Sequence, residues 1–133
     1  MTRKEALADL IAKVEAGEVV KSDLDAFIPV FGLTTDGNNA LDAYRGSLDA
    51  AKALHEAVLD GWGYRIGECH LSDDAAVFPN FNCPVHGARL RSLLSETRDW
   101  FSETDVDQRP AGTPARAWLL SILRALHAME AAE

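Results

Sequence analysis

The stretch from Thr113 to Met129, TPARAWLLSILRALHAM, governs how the rest of the chain is read. Thr113 is a natural N-cap, and Pro114 suits the first helical position, where its missing N–H costs nothing. Ala115, Trp118, Leu119, Ile122, Leu123, Leu126 and Met129 then recur at helical spacing. So wide an apolar stripe must cover something. It predicts a helix over Pro114 to Met129 lying on a sheet.

The sheet is sought upstream, where the rhythm changes to period two. Trp62, Tyr64, Ile66 and Glu68 point one way, with Gly63, Arg65 and Gly67 between them. Ser72-Asp73-Asp74 reads as a turn, and Ala75 to Phe81 as the returning strand of a hairpin. A loop from Asn82 to Gly87 and a short helix carrying Leu90, Leu93 and Leu94 follow, and Trp100 to Val106 is the third expected strand. Gln108 to Gly112 is a loop, because proline and glycine discourage either regular state.

Towards the N-terminus, Thr2 and Glu5 have capping-box spacing ahead of Leu7, Leu10, Ile11 and Val14, and Gly17 ends that helix. Ser22 opens a shorter helix with Leu24, Phe27, Ile28 and Phe31 on one side and Gly32 as its stop; Pro29 disturbs its last turn. Thr34 to Ala40 (TTDGNNA) is turn chemistry and predicts a linker. Ser47 caps a further helix whose buried stripe is Leu48, Ala51, Leu54, His55 and Val58, with Gly61 just past its end. The expected class is therefore α+β, a small antiparallel sheet of about three strands flanked by helices. Residues 1–40 form a two-helix extension and linker in this reading, and residues 41–133 the α+β sandwich domain.

A chain of 133 residues with 47% hydrophobic and 26% charged residues has ordinary globular composition. No apolar run approaches the ~20 residues that cross a bilayer, and the N-terminus lacks the apolar core of a secretory signal. Work in the cytoplasm, away from membranes, is the expectation. The net charge of −8, from 21 acidic and 13 basic side chains, opposes direct nucleic-acid binding. The acids are dispersed, which favours a solubility role over mimicry of DNA.

Several short motifs resemble the small, uncharacterised phage and prophage proteins that carry a phage ABA-sandwich domain. Tyr44-Arg45-Gly46-Ser47-Leu48-Asp49-Ala50-Ala51 followed by Gly61-Trp62-Gly63-Tyr64 is similar to that domain's opening helix and strand. Thr113-Pro114-Ala115-Arg116-Ala117 before the final helix is similar to its end, and Leu24-Asp25-Ala26-Phe27-Ile28 with Gly32 to its helical lead-in. The resemblance spans Ser22 to Ala128. It implies a phage or prophage origin and a sheet flanked by helices, and brings no catalytic residues. The insert from Asn82 to Asp99 departs from the simplest form of the pattern.

Three clusters carry chemistry worth weighing. Cys69, His70, Cys83 and His86 could together ligate zinc, but neighbouring strand residues face opposite ways, and a structural site normally has two close pairs. No bound metal is the expectation. Cys83 with His86 could also be a thiol and its base, yet nothing in the sequence lowers the thiol's pKa. His86, Arg89, Arg91, Arg109 and Arg116 form an electropositive group, of which Arg89, Arg109 and Arg116 could make a pocket for a phosphate or carboxylate at the start of the final helix; local ion pairing is the plainer reading. Trp62, Tyr64 and Trp100 could supply a stacking surface, whereas Trp118 reads as core.

These observations favour a binding protein over an enzyme, needing no cofactor. The resemblance places it as a phage accessory protein acting by protein–protein interaction, with an unidentified host protein, such as a defence component, as partner. The alternatives are a sponge for an anionic, nucleotide-like small molecule held by Arg89, Arg109 and Arg116, and a small zinc- or thiol-dependent enzyme. Self-association into a homo-oligomer is a further open arrangement.

Overall fold

The structure, a computed structural model, describes residues 2–16, 24–68, 73–79, 102–106 and 114–132. In chain order these form α1 (Arg3–Ala16), a 3-10 turn (Leu24–Ala26), α2 (Ile28–Phe31), α3 (Thr35–Tyr44), α4 (Leu48–Val58), β1 (Trp62–Glu68), β2 (Asp73–Pro79), β3 (Ser102–Val106) and α5 (Pro114–Ala132). α1 begins on the expected reciprocal cap: Glu5 N–H donates to Thr2 Oγ1 (3.1 Å) and Thr2 N to Glu5 Oε2 (3.2 Å). α4 begins where Ser47 Oγ accepts from Ala50 N (3.1 Å). Gly61, just past its end, has φ +85°, a conformation that favours glycine.

The described residues are mostly helical, and this overturns the expected α+β sandwich, the ABA arrangement included. Helices of 14, 10, 11 and 19 residues stand against strands of 7, 7 and 5. The strands run in the antiparallel order β1-β2-β3, and of their side chains that are described Trp62 and Val77 enter the core. The reason lies in α5. Ala117, Leu120, Ser121 and Ala125 are buried as completely as the predicted stripe, so from Ala115 to Leu123 this helix is enclosed on all sides. It packs on α1, α3 and α4 as well as on the strands. The helix does lie on the strands as its stripe predicts, and α1, α3 and α4 cover the rest of it.

One further expectation is corrected. Thr34 to Ala40, read as a linker, is the start of α3. Thr34 Oγ1 accepts from Gly37 N (3.4 Å) while its own hydroxyl donates to the Phe31 carbonyl (2.8 Å), so one side chain both caps α3 and ties it to α2. Gly37 is buried there, and a Cβ added to it would lie 3.0 Å from the Gly32 carbonyl oxygen. Leu7, Leu10 and Val14 of α1 share one core with Leu119, Ile122 and Leu123 of α5. Ion pairs Arg3–Glu130 (2.6 Å) and Arg124–Glu15 (2.8 Å) border that contact.

Smaller departures follow from local chemistry. Ser22 lies outside the described residues, and from Leu24 the run does not make one helix: Pro29 falls in the first turn of α2, where proline is tolerated, and Leu24–Ala26 forms the 3-10 turn instead. Gly32 ends α2 at φ +69°, its N–H bonded to the Ile28 carbonyl. Leu48, assigned to the buried stripe, opens α4 and is 47% exposed. Asp73 and Asp74, expected in a turn, pair across the hairpin with Glu68 and Gly67, and β2 ends at Pro79. β3 starts at Ser102.

Candidate functional site

Where α4, β1 and α5 meet, four rings gather: His55, Trp62, Tyr64 and Trp118. The α4 cap places His55 on the inner side of the helix one turn before its end, and the turn at Leu59 to Gly61 brings Trp62 back beside it. His55 is 2% exposed, with both ring nitrogens within hydrogen-bond reach of partners. Trp118 Nε1–H donates to His55 Nδ1 (3.2 Å), and His55 Nε2 lies 3.0 Å from the Trp62 carbonyl oxygen. An indole nitrogen only donates and a carbonyl only accepts, so the imidazole must be neutral with its proton on Nε2. Burial pulls its pKa below the ordinary histidine value; the Trp62 carbonyl and the charge of Glu56 oppose that less strongly.

Tyr64 covers this pair. Its ring stands edge-on to His55 (centroids 5.0 Å apart, 72° between planes) and lies tilted against Trp118 (4.4 Å, 36°). Yet Tyr64 is 41% exposed, whereas Trp62 and Trp118 are buried. The expected aromatic surface therefore reduces, among the described residues, to Tyr64, with Trp62 absorbed into the core. Trp100 lies outside the described residues.

Arg116 is brought to another place than an anion site. Although it opens α5, its guanidinium points at the C-terminus of α3, where Nε and Nη2 both donate to the Tyr44 carbonyl oxygen (3.1 and 2.9 Å). The carbonyls of Leu41, Asp42 and Ala43 are taken by the backbone N–H groups of Arg45, Ser47 and Gly46, so Arg116 satisfies the last one. Its Cζ lies 3.8 Å from the Tyr44 ring centroid, a cation–π contact. A cation at a helix N-terminus opposes that helix's dipole, but here it meets the negative end of another. Arg116 is 5% exposed, and desolvation lowers its pKa without removing the charge.

His86, Arg89 and Arg109 lie outside the described residues, as do the metal candidates Cys69, His70 and Cys83. Among the described residues, no three His, Cys, Asp or Glu side chains gather as a metal site would require. None of them forms a helix long and apolar enough to cross a membrane. Sequence reasoning placed His55 on a buried stripe but not in a site. The usable signal was a histidine on an apolar helix face seven residues before a tryptophan. Tyr44 carried no such signal, since its relevant atom is a backbone carbonyl. Compared with protein-family models, curated proteins and solved structures, the chain has no match.

Proposed function

We propose that the chain is a non-enzymatic binding module that contacts a partner protein through the exposed ring of Tyr64. The observation that carries this reading is the support behind that ring. Tyr64 is open to solvent on one side and backed on the other by His55 and Trp118, both buried. An aromatic side chain already held in place loses little rotamer freedom on binding, and such residues dominate interface energetics. In the phage setting that the motif resemblance implies, the partner is a host protein in the bacterial cytoplasm, with a defence component as the leading class.

Site-directed photo-crosslinking tests this. A benzophenone side chain at position 64 should give a discrete adduct in host cells, whereas the same group at exposed Lys13 on α1 should give none. Tyr64→Ala should abolish capture of that adducted protein while leaving the fold intact by circular dichroism. Equal crosslinking from both positions would refute the anchor. A nucleotide panel that raises the melting temperature would favour the sponge instead.

A further inference from the structure

We infer that the Trp118–His55–Trp62 hydrogen-bond chain is an acid-sensitive latch that holds Tyr64 in its exposed position. The inference rests on geometry at both imidazole nitrogens. Nδ1 accepts from a donor-only indole at 3.2 Å, and Nε2 donates to a carbonyl at 3.0 Å. When solvent supplies a proton to Nδ1, that nitrogen becomes a second donor facing the Trp118 N–H, and the Trp118 bond must break. The Trp62 bond survives, because Nε2 is a donor in either state. The imidazolium therefore stays tethered to β1 while it is driven off α5. Tyr64 touches both rings that then separate, and it is the exposed member of the cluster, so the displacement reaches solvent there. Among the described side chains, the charged group acting on His55 from α4 is Glu56, which favours the protonated ring, while β1 presents Tyr64 and α5 the uncharged Trp118. The consequence is that mild acid loosens the binding surface before the helical body unfolds. That consequence rests on the Tyr64 reading, whereas the titration needs no partner.

The test is an NMR titration of the full chain from pH 7.5 to 5.0, with ring-labelled histidine and tryptophan and His55 assigned by its loss in His55→Gln. The expected result is an Nε2–H tautomer at pH 7.5. On acidification the Trp118 indole N–H should shift and lose exchange protection in step with His55, while far-ultraviolet dichroism stays constant. In Trp118→Phe the opposing donor is gone, so His55 should titrate at higher pH than in the parent protein. A Trp118 N–H unmoved while His55 titrates would overturn the latch, and so would a single transition in which secondary structure is lost together with it. If the latch is found but crosslinking at position 64 fails, the partner reading alone falls.

Discussion

Replacing Arg116 by Met separates a structural cap from an anion ligand. Methionine keeps an unbranched stem of similar reach but removes every donor. The Tyr44 carbonyl, with its hydrogen bonds to Nε and Nη2 in a buried setting, then has no replacement from α3 or the following turn, whose N–H groups are engaged at Leu41, Asp42 and Ala43. Leaving a buried acceptor unmade costs about 1–3 kcal/mol, and losing the stack on Tyr44 adds ~0.5–2 kcal/mol. Release of the guanidinium's own desolvation penalty offsets part of this, so a net loss of ~2–3 kcal/mol is expected. For a chain of this size that is a fall of roughly 6–12 °C in melting temperature. Thermal and urea melts followed by dichroism measure it. Arg116→Lys should recover only part, because a lysine offers no planar fork to stack and donate twice. Tyr44→Phe should stay near the parent protein, since the acceptor is main chain. Arg124→Met, which breaks a surface pair, is the control and should stay within ~1 kcal/mol. An Arg116→Met protein as stable as that control would refute the capping role and return Arg116 to the candidates for ligand binding.

Ile122, fully buried in α5, should not tolerate Asp: a carboxylate without a partner there costs several kcal/mol, and a soluble variant with an unchanged melt would contradict the central position of the helix. Because burial lowers the His55 pKa, the unfolded chain binds its proton first as pH falls through ~6.5; the stability from this group is complete above that pH and is lost on acidification, by at most ~1.4 kcal/mol per pH unit. Urea midpoints at pH 7.5 and 5.5 should differ in that direction, and less so in Trp118→Phe; equal midpoints would count against the neutral buried ring. Gly37→Ala should fail to deliver the ~1 kcal/mol usually gained by alanine in a helix, because the new Cβ would crowd the Gly32 carbonyl oxygen, and a clear rise in melting temperature would show that this contact gives way easily.

What the sequence determined by itself is local. The Thr2–Glu5 box, the Ser47 cap, Pro114 at the first position of α5 and the alternation from Trp62 all act within a few residues of themselves, and each element they announce is present. What only the tertiary structure decided is what those elements lie against. The Leu/Ala-rich surface of α5 is as compatible with a sheet as with helices. The strands share it with α1, α3 and α4, an outcome set by where those segments return in space, and that turned an expected α+β sandwich into a mostly helical body. The same holds for single side chains. Arg116 carries its charge in the sequence, but the acceptor it meets, the Tyr44 carbonyl, lies 72 positions away and has no residue-type signature. His55 finds Trp118 across 63 positions, and that contact sets its tautomer and its neutral state. Hydrogen-bond caps and periodicity are properties of neighbouring residues; burial, desolvation and the choice of partner arise only once distant segments are packed together.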